Sequence, residues 1–268
     1  MDYKMPPREQ DSNKSTFGKV LNISGSKNYI GAAYLSSIGV LKSGAGYLAL
    51  ASDKNILRAV SSLLPEAVFM ELREVKKKIS AFTTVLIGCG LGTGSASVKI
   101  FKQVLASLKN SSTPLIIDAD GLNILAETKM ELPENTVITP HIGEASRLLG
   151  MGIEDILQDR EHAAKALSKK YKCVTVLKSH RTVICDKNLN TFTNTNGNSA
   201  LAKAGSGDLL AGIITGLAAQ KTDLFKASKL GVYLHARAGE LASKDLTEYS
   251  VNPTDLIKYL PKAISELL

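Results

Sequence analysis

Short apolar runs rich in β-branched residues alternate along this chain with longer helical stretches. This alternation is typical of βαβ units and predicts an α/β fold with a largely parallel sheet. Several runs are continuously apolar, which indicates strands covered by helices on both faces. The predicted strands are Val20–Ile23, Tyr47–Leu50, Val85–Ile87, Leu115–Ile117, Val137–Ile138, Val174–Leu177, Thr182–Cys185 and Thr191–Thr193.

The helical stretches follow most of these strands, and the stretch Asp186–Asn198, rich in Asn and Thr, predicts a hairpin followed by a loop. The sequence contains no internal repeat and no break in composition, so we predict one domain over residues 14–268 after a flexible arm at residues 1–13. The predicted helices are Ala32–Lys42, Asn55–Leu63, Ala96–Leu108, Leu122–Ala126, Glu144–Leu149, Glu154–Tyr171, Asp208–Ala219, Asp223–Lys244 and Pro253–Tyr259.

The composition of the 268 residues, 44% apolar and 22% charged, is that of a globular domain and argues against intrinsic disorder. No apolar run reaches the ~18 residues of a membrane span, and the N-terminus lacks an apolar signal segment. The three cysteines, Cys89, Cys173 and Cys185, are odd in number and form no CxxC pair. A disulfide framework and a cysteine zinc site are therefore disfavoured, and we expect a cytoplasmic protein.

The net charge of +8 raises the question of nucleic-acid binding. The basic residues are dispersed, however, and only 5% of residues are aromatic, so no stacking surface accompanies the charge. We expect no nucleic-acid partner and no membrane partner. A basic surface of this kind favours anionic small molecules.

The strongest chemical motif is the run Ala204–Gly212, in which small residues precede an apolar helix. Backbone N–H groups and the positive end of a helix can converge there on an anion. Asp208, just inside that helix, suits a base that accepts a proton from a hydroxyl attacking phosphorus. The alternative is that Asp208 only caps the helix.

Four other polar or glycine-rich segments follow predicted strands, where ligands bind in open α/β sheets. Each of these segments also has a purely structural interpretation. The glycine run Gly88–Gly94 can be a tight turn, and His141 in Thr139–Glu144 can be a structural hydrogen-bonding residue. The carboxylates of Asp118–Asn123 can cap a helix instead of contacting Mg²⁺. Lys178 can reach a phosphate or serve structure alone. Together these segments predict one crevice.

The same motifs, in order, resemble the NAD(P)H-hydrate dehydratases of the ribokinase-like superfamily. The resemblance covers about residues 14–265. It rests on Lys14–Gly18, Gly25–Ala33, Lys42–Gly46, Gly88–Gly92, Asp118–Asn123, Thr139–Glu144, and Asn196–Asn198 leading into Gly205–Asp208. Ser179 stands where this family usually has Gly, Ser206 where it usually has Thr, and Asn13 where it usually has His.

The resemblance implies a repair lyase that phosphorylates the C6 hydroxyl of hydrated NADH or NADPH with ADP or ATP and then eliminates phosphate. Asp208 would be the base, Mg²⁺ would accompany the nucleotide, and relatives suggest a homotetramer. The substrate-binding residues implied are Ala32, Gly90, Gly92, His141 and Asp208. The nucleotide-binding residues implied are Lys178, Ser179, His180, Arg181, Thr182, Gly205, Ser206 and Gly207.

Two other functions are compatible with the same residues. A kinase of this fold would phosphorylate a vitamin precursor or sugar and stop there, and a non-enzymatic protein would bind the nucleotide without turnover. The motifs Thr139–Glu144 and Asp118–Asn123 favour the lyase over the kinase. Relatives often carry an epimerase domain before this one, and only about 13 residues precede the match, so we expect no epimerase activity in this chain.

Overall fold

The computed structural model describes residues 3–268, which form one nine-stranded sheet in the order β3-β2-β1-β4-β5-β6-β7-β8-β9. Strands β1 to β7 pair in parallel, while β8 pairs antiparallel with β7 and with β9. The strands are β1 Lys19–Ile23, β2 Tyr47–Ser52, β3 Val68–Glu71, β4 Thr84–Ile87, β5 Leu115–Ile117, β6 Thr136–Ile138, β7 Val174–Leu177, β8 Val183–Cys185 and β9 Thr191–Thr193.

Helices cover both faces of this sheet, so the predicted α/β architecture is confirmed. One layer consists of α1 Ile30–Lys42, α2 Lys54–Ser61, α9 Ser206–Ala219, α10 Leu224–Ser250 and α11 Pro253–Ser265. The opposite layer consists of α3 Val75–Lys78, α4 Ser95–Leu108, α5 Asp120–Thr128, α6 Ile142–Leu149, α7 Ile153–Gln158 and α8 Arg160–Tyr171. Within residues 3–268 no helix is both long and apolar enough to cross a membrane.

Side chains along each strand point alternately to the two layers. Val20 and Leu48 pack with α1 and α9, whereas Leu21 and Ala49 pack with the other layer. Both sets are fully buried. A strand buried on both faces needs apolar residues at consecutive positions, which is why the runs in the sequence are continuous.

Glycines bring α1 and α9 into close contact and so set the position of α9. A Cβ on Gly212 would lie 2.1 Å from the Ser36 carbonyl oxygen, and one on Gly39 would lie 2.6 Å from that of Leu209. No side chain larger than hydrogen fits either position. The start of α9 is therefore held firmly against α1.

The structure differs from the predicted elements most clearly in three places. The single helix predicted over Glu154–Tyr171 is two helices, because the backbone of Asp159 is non-helical and its side chain caps α8 through the His162 N–H. Strand β3 was not predicted; it is a four-residue strand at the edge of the sheet. Helix α10 runs on to Ser250 beyond a non-helical Thr247.

The segment of residues 3–13 forms no helix or strand but contacts the domain. Tyr3 stacks on Tyr233 with ring centroids 4.2 Å apart. Arg8 donates to the Gly44 carbonyl and lies over the Phe17 ring. The flexibility predicted for this arm concerns its motion and stays a prediction.

Candidate active site

The loops that follow four neighbouring parallel strands meet at one edge of the sheet. Cys89 follows β4, Asp118 follows β5, His141 follows β6 and Lys178 follows β7. The start of α9 lies against the same edge, where Lys178 passes it. This is the position at which open α/β sheets bind ligands, and the predicted crevice is found there.

Among the residues that the structure describes, no side chain caps the first turn of α9. Its N-cap residue, Gly205, has a φ of +89°, a conformation that favours glycine. The Ser206 N–H donates to the Lys203 carbonyl, whereas the N–H groups of Gly207 and Asp208 find no acceptor within residues 3–268. Asp208 does not cap the helix, and two free N–H groups remain for an anion.

A buried ion pair joins the ends of β5 and β7. Lys178 Nζ lies 2.5 Å from Asp118 Oδ1, with the Asp118 side chain 1% and the Lys178 side chain 18% exposed. The Thr139 hydroxyl donates to the same oxygen at 2.7 Å. A Cβ on Gly207 would lie 3.3 Å from Lys178 Nζ, so this ammonium also adjoins the start of α9.

Cys89, Asp118 and Asp208 form an acidic cluster in which the sulfur and one oxygen of each carboxylate lie within 4.8 Å of one another. Burial and the charge of Asp118 raise the pKa of Asp208 to about 6, with the charge of Lys178 acting in the opposite direction. Burial also raises the pKa of the Cys89 thiol well above its usual value. Asp208 is therefore a carboxylate of unusual basicity that is still mostly ionised at neutral pH.

The side chains of His141 and Glu144 cap the start of α6. His141 Nδ1 accepts hydrogen bonds from the N–H groups of Gly143 at 3.0 Å and Glu144 at 3.3 Å. Glu144 Oε2 in turn accepts from the His141 N–H at 2.7 Å. Because Nδ1 accepts, the neutral ring carries its proton on Nε2. Burial and the charge of Lys178 lower the pKa of His141, so the ring is neutral at pH 7.

A cavity of about 730 Å³ opens between the end of β7, the start of α9 and the loop of residues 194–204. Its volume is in the range typical of small-molecule sites. Asp118, Glu144 and His235 contribute to its wall. The residues that were predicted for the site and line this cavity are His141, Lys178, Ser179, His180, Thr182, Gly205, Ser206, Gly207 and Asp208.

Four predicted residues lie outside the lining of this cavity. A Cβ on Gly90 would lie 2.8 Å from the Ala32 Cβ, so these two residues are in contact, and the Gly92 N–H donates to Asp120 Oδ2 at 2.7 Å. Gly90 directly follows Cys89, a member of the acidic cluster. Arg181 is exposed and is not part of the lining. The roles of all these residues stay predictions.

Two residues that the structure places at the site, Cys89 and His235, had no role assigned to them from the sequence. Cys89 lies inside the glycine run, so its position after a strand was a usable signal. His235 lies on α10, with Nε2 3.0 Å from the Ser206 Oγ. No local pattern connects two residues that are 29 positions apart.

The donor set fits Mg²⁺ that arrives with a nucleotide better than a metal ion held by protein ligands alone. Mg²⁺ takes oxygen ligands and keeps several waters or phosphate oxygens. Asp118 Oδ1 accepts from Lys178 and Thr139, and Oδ2 accepts the weaker hydrogen bond of the Cys89 thiol at 3.8 Å. A lone pair of Oδ2 is left for the ion or its waters. The protonated Cys89 thiol is unsuited to Mg²⁺.

Two solved structures resemble this chain over its whole length. One, described as a ribokinase-like superfamily protein from Enterococcus faecalis, has a TM-score of 0.90, 34% identity and coverage of 98% of this chain and 92% of that chain. The other is the ADP/ATP-dependent NAD(P)H-hydrate dehydratase of Bacillus subtilis co-crystallised with ATP and Mg²⁺, with a TM-score of 0.88, 29% identity and coverage of 99% and 95%. The molecule thus has the ribokinase-like fold, with its crevice at the strand ends.

Sequence relationships specify the family within this fold. A family model for NAD(P)H-hydrate dehydratases matches residues 20–262. A relative from Staphylococcus aureus, named ADP-dependent (S)-NAD(P)H-hydrate dehydratase, is 35% identical over 270 residues, which cover 98% of this chain and 94% of the relative. The chain belongs to the NAD(P)H-hydrate dehydratase family. It spans about half the length of several other curated relatives, which are named bifunctional NAD(P)H-hydrate repair enzymes.

Proposed function

We propose that this protein dehydrates the (S)-hydrates of NADH and NADPH, with ADP or ATP as the phosphoryl donor. The observation that carries the proposal is the position of Asp208 in the uncapped first turn of α9, beside the Asp118–Lys178 pair and at the wall of a cavity of about 730 Å³. A base and an anion site lie side by side there, as phosphoryl transfer to a hydroxyl requires.

The first step transfers a phosphoryl group to the hydroxyl on C6 of the hydrated nicotinamide ring. Asp208 accepts the hydroxyl proton while the new O–P bond forms, and the bond from phosphorus to the leaving oxygen of the nucleotide breaks. The free N–H groups of Gly207 and Asp208 stabilise the charge on the transferred group. With a pKa of about 6, Asp208 is ionised at neutral pH and ready to accept that proton.

The second step eliminates phosphate from the phosphorylated ring. The C6–O bond breaks with the loss of a proton from the adjacent ring carbon, and the ring double bond of the reduced nicotinamide is restored. With ADP as donor, the sum is hydrate plus ADP to NADH, AMP and phosphate. Phosphate is a better leaving group than hydroxide, which explains why a nucleotide drives a dehydration.

The adenine nucleotide and the hydrated nicotinamide nucleotide would bind next to the acidic cluster, each against different residues. The cavity side, with Lys178–Thr182 and Gly205–Gly207, would bind the adenine nucleotide, and Mg²⁺ would accompany its phosphates near Asp118. The hydrate would lie on the side of Ala32 and Gly90, with its hydroxyl at Asp208. The neutral His141, whose Nε2 lies 3.4 Å from Glu144 Oε1, would turn its Nε2–H from that carboxylate to a phosphate or an amide oxygen of the ligand.

The decisive test incubates the protein with NADH hydrate, Mg²⁺ and either ADP or ATP, and follows the reduced-nicotinamide absorbance together with released phosphate. The proposal predicts that both rise in equal amounts and only with a nucleotide. Accumulation of a phosphorylated substrate without a rise in absorbance would replace the lyase by a kinase. The predicted homotetramer is tested separately, by sedimentation of the intact chain.

A further inference from the structure

A buried histidine contacts the residue that lies between the two glycines at the start of α9. His235 on α10 is 7% exposed and Ser206 is 5% exposed. Their side chains meet at 3.0 Å, between His235 Nε2 and Ser206 Oγ. The Ser206 hydroxyl has no other hydrogen-bond partner within residues 3–268.

The proton between these two atoms can lie on either one. If His235 Nε2 accepts, the Ser206 O–H points at the ring and only lone pairs face the cavity. If Nε2–H donates, the Ser206 O–H turns to another acceptor. A phosphate is an acceptor, so only the second arrangement makes Ser206 a donor to it.

We propose that His235 is the positioning residue that turns the Ser206 hydroxyl toward the phosphate bound at the start of α9. Ser206 then adds a third donor to the free N–H groups of Gly207 and Asp208. Its own N–H is already bonded to Lys203, so the hydroxyl is its remaining means of contacting an anion. The inference rests on the proposed function to the extent that it places a phosphate there.

The surroundings of His235 suit a fixed, neutral donor. A Cβ on Gly231, one turn earlier on α10, would lie 2.7 Å from Ile214 Cγ1, so α10 packs closely on α9 and holds the ring in place. Burial and the charge of Lys178 lower the pKa of His235 to about 4, and a hydrogen bond to the Ser206 backbone acts in the opposite direction. The ring is therefore uncharged at neutral pH.

The test compares two polar replacements that differ in reach. His235→Gln can place an amide N–H near the position of Nε2, whereas the shorter His235→Asn mimics Nδ1 instead. Equilibrium titration with ADP, and with adenosine as a control that lacks phosphate, measures binding in each variant and in Ser206→Ala. We expect His235→Asn to weaken ADP binding about 10–100-fold and His235→Gln to retain most of the affinity, with adenosine binding unchanged in both.

A double-mutant cycle with Ser206→Ala then separates positioning from a structural role. If His235 acts through Ser206, adding His235→Asn to Ser206→Ala weakens ADP binding no further. Additive losses, equal losses with Gln and Asn, or a parallel loss of adenosine binding would each overturn the inference. Thermal unfolding of every variant shows whether the Gln and Asn proteins are equally folded before they are compared.

The outcome is independent of the proposed lyase activity, because the readout is binding alone. A cycle that couples His235 to Ser206 in a protein that leaves NADH hydrate unchanged would support the inference and refute the proposed function. An active dehydratase in which the losses at His235 and Ser206 are additive would support the proposed function and refute the inference.

Discussion

Two helix starts lie at the same edge of the sheet and handle their free N–H groups in opposite ways. At α6 the ring of His141 accepts hydrogen bonds from the N–H groups of Gly143 and Glu144, so these two N–H groups are already occupied. At α9 no side chain within residues 3–268 caps the first turn, and the N–H groups of Gly207 and Asp208 have no acceptor there. Both lie in segments that the sequence marked as candidates for ligand binding, yet only the uncapped one keeps backbone N–H groups for a phosphate.

The difference shows what capping does to a site residue. The contacts at α6 occupy Nδ1 of His141, so the proton of the neutral ring lies on Nε2, which is 3.4 Å from Glu144 Oε1. At α9 the absence of a cap leaves the backbone itself as the binding element. The carboxylate of Asp208 remains beside it, free to act on a ligand.

Removing the base at α9 should give the largest effect. Asp208→Asn is expected to lower turnover by about 10²–10⁴-fold, because the hydroxyl loses its proton acceptor while the N–H groups stay. ADP binding should persist, and calorimetric titration checks it beside the turnover assay. Turnover equal to that of the unaltered protein would remove Asp208 from the mechanism.

Breaking the ion pair that lies between the two helix starts should give the next largest effect. Lys178→Met leaves the Asp118 carboxylate buried without its partner, which should lower the free energy of unfolding by about 3–5 kcal/mol in denaturant titrations. Adding Asp118→Asn should restore part of that loss.

The matched control is Lys165→Met, which removes a lysine from an exposed pair with Glu161. Its unfolding free energy should be nearly unchanged. Equal losses in the two lysine variants would show that burial does not make the Lys178 pair special.

The stability of the α9 start should also depend on pH, in a direction set by Asp208. The pKa of Asp208 is raised to about 6 from 3.8, which means that the folded protein favours the protonated carboxyl. The resulting contribution to the free energy of unfolding is complete below about pH 4 and is lost as the pH rises through 6. At pH 7.5 the charge therefore destabilises the fold, and Asp208→Asn should raise the free energy of unfolding by about 2 kcal/mol. The gain should shrink at pH 5, and a gain that stays constant between the two pH values would show that the buried charge of Asp208 is not its cause.

The smallest expected effect concerns the cap of α6. His141→Ala should lower the free energy of unfolding by about 1 kcal/mol, because Gly143 and Glu144 lose their acceptor. His141→Asn supplies a good N-cap and should recover that stability. Turnover should be lowered in both variants, since both lack the Nε2–H. Recovery of both stability and turnover by Asn would mean that His141 serves only the helix.

Much of the architecture could be predicted because the signals are local. The strand Leu115–Ile117 and the helix around Asp208 follow from a continuous apolar run and from small residues before an apolar helix. The break at Asp159 does not, because the residues on both sides have helical character and one capping contact decides the boundary. Strand β3 was missed because a short edge strand needs little apolar sequence.

The residues of the candidate site likewise include some that a local pattern predicts and others that it does not. Asp208 and the glycines around it form a contiguous motif, so the sequence identified them. The Asp118–Lys178 pair joins residues 60 positions apart, and the meeting of His235 with Ser206 depends on how α10 packs on α9. Such pairings depend on packing between elements, which no local pattern encodes.

By itself the sequence determined the class of fold, the single mostly parallel sheet and the candidate base, because hydrophobic periodicity and turn chemistry act over a few neighbouring residues. Only the tertiary structure decided which helix start is free to bind an anion, which lysine neutralises Asp118 and why Asp208 is an unusually basic carboxylate. These properties arise from burial and from charges brought together across the chain. They exist only once the strand ends have met at one edge.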